Sequence, residues 1–352
     1  MLESTPIQLR FPPIPGFTVR ADFDGGALSS DFGPLLLRGV DQQIGLTQRL
    51  AKAFNDKRHP SYIDHTMRDL FAQRIFQISS GYADGNDSNS LRTDPMFKLG
   101  LDRSPADSET ALASAATFSR LENAATRKDV YRIGKAFVEH FIASYSKPPK
   151  VIVLDMDHSE DPTHGQQELA LYSGYYKSYC YLPLFIFEGL SGKLVTALLR
   201  PGKRPTGAEN AIILKRILKI LRAEWPNTHI ILRGDGHFSN PELMQLALDD
   251  PKTDFIFGVG KNPILSKLAA PLLAKVKQLH QIRSDNEKRV GNSPPSSTRL
   301  YGEVKYAAKT WPQEFRVIIK VEATADGVDT RFVVTTLDQP SPQTVYADLY
   351  CA

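Results

Sequence analysis

Val151-Ile-Val-Leu-Asp-Met-Asp157 and His229-Ile-Ile-Leu-Arg-Gly-Asp235 are two short apolar runs that each end in a carboxylate, with a helical pattern over 208–222 between them. Each run has strand length and is rich in β-branched residues. Between and beyond them, 181–187 and 193–199 read as strands joined by a turn through Gly189 and Gly192. The stretch 241–248 reads as a helix and 254–259 as a fifth strand.

Three strands, helix, strand, helix, strand is the element order of a ribonuclease H-like core. In such a core the first and fourth strands lie side by side, which brings Asp157 and Asp235 within reach of one metal pair. Outward from this core, Leu35, Val40, Ile44, Met67, Leu70, Phe71, Ile75 and Ile78 are spaced as on helices. Asp107 or Ser108 and Thr126 mark helix starts, and Ser146-Lys-Pro-Pro-Lys150 breaks the pattern. On the other side, 263–280 reads as a helix, 281–297 as a polar loop, and 300–307, 315–321 and 331–337 as strands of a small β unit. The expected fold class is therefore α/β: a ribonuclease H-like mixed-sheet core with a helical N-terminal domain and a β-strand insertion. Its parts are an extended Pro-rich arm (1–20), a helical, DNA-binding domain (21–147), the core (148–280), the insertion (281–340) and the start of a C-terminal catalytic helix (341–352).

A chain of 352 residues with 41% hydrophobic content can bury more than one core. No stretch reaches the roughly 18 to 20 apolar residues of a membrane helix, and residues 1–20 lack the layout of a signal peptide, so a cytoplasmic protein without a membrane partner is expected. Cys180 and Cys351 have no CxxC spacing and indicate neither a zinc site nor a disulfide framework. Net charge is only +4, but residues 261–320 hold 12 basic against 4 acidic side chains, and 193–222 hold 8 basic against Glu209 alone. Such local excess suits a phosphate backbone, and equally a solvated face.

Phosphoryl transfer through two divalent ions needs carboxylates on rigid elements, with the ions about 3.5–4 Å apart. Hard oxygen ligands suit Mg²⁺ or Mn²⁺. Asp157 and Asp235 at strand ends fit that role. Asp155, two positions earlier on the same strand face, competes with Asp157 as a ligand or serves as a structural acid. His158, Asp161, His164 and Glu168 cluster in sequence but match no His-Glu-x-x-His helix, and Pro162 and Gly165 place them in a loop. His237 is a candidate contact to a phosphate or metal-bound water.

Leu154-Asp-Met-Asp157, Pro162-Thr-His-Gly-Gln-Gln-Glu168, Gly174-Tyr-Tyr-Lys-Ser-Tyr-Cys-Tyr-Leu-Pro-Leu184 and Leu232-Arg-Gly-Asp-Gly-His-Phe238 together resemble the DDE group 1 transposases of bacterial insertion sequences. Phe23-Asp-Gly-Gly-Ala-Leu-Ser-Ser30, Gly81-Tyr-Ala-Asp-Gly-Asn-Asp87, Leu91-Arg-Thr-Asp-Pro95 and Ser119-Arg-Leu-Glu-Asn123 extend the resemblance over nearly the whole chain. The resemblance implies binding to terminal inverted repeats and target DNA, a homodimer on paired ends, and strand cleavage and transfer with two Mg²⁺ or Mn²⁺ ions on Asp157 and Asp235. It implies a third acid in a Tyr-x2-Arg-x3-Glu-x6-Lys signature, whose tyrosine would be Tyr350 and whose Glu would fall after Ala352. Cleavage by these residues alone is accordingly expected to be impaired. Competing readings are a non-catalytic DNA-binding remnant acting as a repressor, and a nuclease with a different third acid.

Lys215, Lys219 and Arg222 share one helix face opposite Ile213, Ile217 and Ile220 and are candidate phosphate contacts. Trp311, flanked by Lys309 and Arg316, is a candidate for stacking on a displaced base or a packed core residue. Tyr350 is a further candidate DNA contact.

Overall fold

The structure, a computed structural model, describes residues 9–21, 31–105 and 110–351. The motif Phe23 to Ser30 and the helix starts at Asp107 or Ser108 lie outside the described residues. The chain divides into two compact units, 1–140 and 141–352.

In the first unit, β1 (Leu9–Arg10) and β2 (Arg20–Ala21) form a short antiparallel ribbon. Among the described residues seven α-helices follow: α1 (Gly33–Ile44), α2 (Leu46–Ala53), α3 (Met67–Ser79), α4 (Asp87–Leu91), α5 (Pro95–Gly100), α6 (Ala115–Ala124) and α7 (Arg127–Ala143), whose last residues belong to the second unit. Gly45, at φ 68°, lets α1 stop and α2 start at once. Thr66 and Asp69 close a reciprocal cap on α3. Thr126 marks the start of α7 as expected, its amide and hydroxyl both donating to Asp129. Buried Phe76, Leu91, Phe97, Leu101 and Leu112 form one core cluster. The Gln73 amide bonds both backbone groups of Ala113, each at 2.9 Å, which satisfies a buried polar side chain.

The second unit is built on one eight-stranded sheet, ordered β11-β12-β13-β10-β9-β3-β7-β8. Its strands are β3 (Val151–His158), β7 (Leu184–Glu188), β8 (Lys193–Leu198), β9 (His229–Gly234), β10 (Thr253–Val259), β11 (Ser297–Tyr306), β12 (Phe315–Thr324) and β13 (Gly327–Thr335). β3, β9 and β10 run parallel, and β7 and β8 add antiparallel. This is the ribonuclease H-like order expected, with the first and fourth strands of the core adjacent. α8 (Gly207–Glu224), opened by a Thr206–Glu209 capping box, packs on α9 (Pro241–Leu248), and α9 lies against β10. A second, three-stranded sheet, β4-β6-β5, consists of β4 (Asp161–Pro162), β5 (Leu171–Ser173) and β6 (Ser178–Tyr181).

Three local expectations change. The strand expected over 181–187 starts at Leu184, because the Leu182-Pro183 step separates it from β6. The helix expected to stop at 280 runs on as α10 (Pro263–Arg289), since the polar stretch after 280 contains no helix breaker before Gly291 and gains a Gln281 to Asp285 bond of 2.9 Å one turn on. The strands expected as a separate β insertion continue the main sheet, with β13 pairing antiparallel to β10 and α10 lying along β11 and β12. The final segment, Thr344–Tyr350, is a π-helical turn in which the Cys351 amide donates to the Tyr346 carbonyl. It packs Val345, Tyr346, Leu349 and Tyr350 against Val153, Ile231, Ile256, Ile318 and Val333 of the sheet.

Candidate active site at the ends of two parallel strands

β3 and β9 pair in parallel with Met156 opposite Gly234, so the next position on each strand is an acid, Asp157 and Asp235. The pairing alone places both carboxylates at the same end of the sheet. Partial burial at the strand end, then the charge of Asp235, push the Asp157 carboxyl above the usual carboxylate range. Asp235 is oriented by its own turn: the His237 amide donates to its Oδ1 at 2.9 Å. A Cβ on Gly234 would lie 2.6 Å from the Phe238 ring, so glycine is required for Phe238 to fold back beneath the strand end. There Phe238 stacks on His158 at 5.0 Å. Burial, then the nearby Arg200, depress His158 to about 4, and neither of its ring nitrogens has a hydrogen-bond partner among the described residues.

Asp155 is withdrawn from the acid pair. Arg233 donates Nε to its Oδ1 at 2.9 Å and Nη2 to its Oδ2 at 2.7 Å, so both oxygens are engaged. Of the two roles left open by the sequence, this pairing is the one expected of a structural acid. The same guanidinium sends Nη1 to the Leu349 carbonyl at 2.7 Å, tying the final turn to the fourth core strand. Tyr350 follows in the same turn and packs with the cluster formed by Val153, Ile231 and Ile256. Its phenol is pushed up by burial and by the charge of Asp235, and its hydroxyl would stand 2.6 Å from a Cβ on Gly258. Asp348, two residues before it, is exposed.

A cavity of about 820 Å³ opens over the acids, bounded by Asp157, His158, Asp235 and His237 on one side and by Tyr172, Tyr175, Tyr176, Lys203 and Arg204 on others. His237 is exposed at its edge. Lys215 and Lys219 are exposed on α8, but Arg222 turns inward, contrary to the helix-face reading. It donates to Asp250 Oδ2 at 2.6 Å, the Lys252 carbonyl at 2.9 Å and Thr253 Oγ1 at 3.0 Å, clamping α8 to the start of β10. Trp311 packs edge-on against Tyr306 and Phe315, with ring centres 5.3 and 5.9 Å away, so its packing role prevails over stacking on a base. Its neighbour Arg316 is buried and bonded to Glu303 and to the Leu337 carbonyl. His158, Asp161, His164 and Glu168 do not assemble: among the described residues no group of three His, Cys, Asp or Glu is placed to hold a metal ion. Two hard-oxygen carboxylates whose mutual repulsion a cation would relieve do fit divalent-ion binding.

Sequence reasoning missed Arg233, Gly258 and the tyrosines of the small sheet. A charged residue inside an otherwise apolar run, as in Leu232-Arg-Gly, is the signal that a buried partner exists.

Among the described residues no helix is long and apolar enough to cross a membrane. No curated protein matches the chain. Among solved structures it is similar to a cryo-EM structure of the piggyBac transposase synaptic complex with hairpin DNA, at 12% identity and a TM-score of 0.39, over 88% of this chain and 62% of that one. The family model for the transposase DDE domain, group 1, matches residues 11–352. Spanning nearly every residue, that match shows that the chain belongs to the group 1 transposase DDE domain family.

Proposed function

We propose that this chain binds DNA ends as a transposase and that Asp157 and Asp235 hold the divalent ions, Mg²⁺ or Mn²⁺, used to cut and transfer strands. The observation that carries the reading is the parallel β3–β9 register, which brings two aspartates to the same end of neighbouring strands, where partial burial and then the charge of Asp235 raise the Asp157 carboxyl. When bound, such ions neutralise the scissile phosphate and activate a water or 3′-hydroxyl.

The chain's own residues supply the frame. Arg233 keeps Asp155 out of the ligand set, the His237 amide fixes the Asp235 carboxylate, and neutral His158 on Phe238 forms a water-poor floor. The exposed His237 imidazole is placed to meet a phosphate. The family's signature tyrosine, seven residues before its third acid, is Tyr350 in this reading, its hydroxyl beside Gly258. Terminal inverted repeats and target DNA are the substrates this reading implies, held by two copies on paired ends in a cytoplasmic, nucleoid-bound complex. Lys215 and Lys219, exposed on α8, are phosphate contacts in it.

Mn²⁺ binding followed by calorimetry tests the ligand assignment without relying on cleavage. Binding should weaken by at least about tenfold in Asp157→Asn and in Asp235→Asn, as losing a charged ligand implies. Equal affinity in wild type and both variants would sink it. If Mn²⁺ and DNA both bind but supercoiled plasmid is never nicked, the non-catalytic DNA-holding reading replaces the catalytic one.

A further inference from the structure

One wall of the cavity over the acids has no part in the chemistry just described. Tyr172 lines it from β5, and its register partner Tyr179 on β6 stands behind it, their rings edge-to-face at 5.5 Å and 58% and 61% exposed. The turn joining these strands presents Tyr175, 86% exposed, and Tyr176, with ring centres 4.8 Å apart. The turn is well defined: Lys177 sits at φ 58° and its amide donates to the Ser173 carbonyl at 2.7 Å.

The rest of the small sheet is anchored. Cys180 is fully buried, and a Cβ on Gly202 would lie 2.0 Å from its carbonyl oxygen, so the segment after β8 is pressed against β6. That segment continues into Lys203 and Arg204, both exposed and lining the same cavity. Tyr175 and Tyr176 line the same cavity as Asp157 and Asp235, which places the aromatic turn beside the acid pair. Four tyrosines held outward on a braced sheet are an exposed patch that asks for an occupant. Flat aromatic faces accept any base, and cations beside them accept its phosphates.

We infer that the β5–β6 sheet is a stacking platform for an unpaired base of the strand that runs through the cavity, with Lys203 and Arg204 on the phosphates of that strand. A base can meet a tyrosine face only after leaving its own stack, so the ligand is an unpaired or extruded nucleotide rather than intact duplex. Continuity with the cavity holding Asp157 and Asp235, and the two cations in its lining, select nucleic acid over a second copy of the chain. The inference rests on the DNA-binding half of the proposal above and not on cleavage.

The test uses the full chain in EDTA, with two duplexes that carry 2-aminopurine either fully paired or in a single-base bulge. Wild type should bind the bulged duplex about tenfold more tightly and quench its fluorescence on binding, as stacking on one aromatic side chain implies. Tyr175→Ala/Tyr176→Ala and Tyr172→Ala/Tyr179→Ala should lose that preference with paired-duplex affinity unchanged, and the corresponding Phe variants should keep it. Equal binding of both duplexes with no quenching would overturn the platform alone. Failure of wild type to bind either duplex would overturn the DNA reading and the platform with it. If sedimentation shows self-association that the Ala variants abolish, while DNA binding is untouched, the face is a contact between copies and the inference falls.

Discussion

Arg233 and Asp155 meet across neighbouring parallel strands in a two-point ion pair, yet they differ sharply in exposure: the arginine side chain is 5% exposed and the aspartate 42%. A guanidinium sealed inside a sheet depends on its partner more than a carboxylate with access to water does.

Removing the aspartate should therefore cost more than removing the arginine. Asp155→Ala leaves a buried cation unpaired, at about 3 kcal/mol or more, whereas Arg233→Met leaves a carboxylate that water can reach, at about 1–2 kcal/mol. Urea unfolding of both variants measures the difference. Equal costs would mean that the pair is not the buried anchor its geometry describes.

Asp157 titrates in the opposite sense to most surface acids. Because its pKa is raised on folding, its contribution is present below the unfolded pKa and is lost as pH rises through the folded value. Asp157→Asn should then raise the melting temperature of the metal-free protein at neutral pH, with the gain vanishing near pH 3. The same variant should melt at one temperature with or without Mn²⁺, while wild type gains stability from the ion. A destabilised Asn variant at neutral pH would contradict the cost of holding this partly buried carboxylate charged beside Asp235.

Glu188, at the end of β7, shows the usual carboxylate behaviour. It is buried, which works to raise its pKa, but the Ser191 hydroxyl at 2.6 Å and the amides of Val153 (3.1 Å), Leu190 (3.2 Å) and Ser191 (2.8 Å) outweigh burial and hold it below its ordinary value. Its stabilisation is present above the unfolded pKa and is lost as pH falls through the folded one. Glu188→Gln should cost about 1–3 kcal/mol at pH 7, and the gap to wild type should close in acid. Unfolding curves at pH 7 and pH 3 decide the matter.

Gly258→Ala puts a methyl group 2.6 Å from the Tyr350 hydroxyl, with the Gly236 amide nitrogen at 3.1 Å behind it. Overpacking of this kind costs about 1–3 kcal/mol. Adding Tyr350→Phe removes the closest atom and should recover part of the loss, a coupling that a double-mutant cycle reads directly. Strict additivity of the two changes would show that the tyrosine does not occupy this position.

The core strands were legible because their apolar runs have the right length and end in Asp157 and Asp235, and the helices between them carry the opposite period. The partner of Asp155 was not, because it lies 78 positions away and a two-residue period cannot say which of two acids on one face is already paired. Arg222 misled for a related reason. A helix-face argument sees only the neighbours of Lys215 and Lys219, while Asp250 and the Lys252 carbonyl, which bind Arg222, arrive from another element. The small tyrosine sheet was hidden by its size, since strands of two to four residues carry almost no periodicity. The joining of β13 to β10 likewise depends on a tertiary pairing that no local pattern encodes.

The β3–β9 pairing joins Asp155 and Arg233 across 78 positions, a separation that has a kinetic side. Non-local strand pairing is slow to form because the intervening loop must close before its contacts repay the entropy. During synthesis the acid pair has no existence until β9 has left the ribosome and docked beside β3. A copy in which β3 has formed and β9 has not yet docked beside it therefore holds two unrelated aspartates.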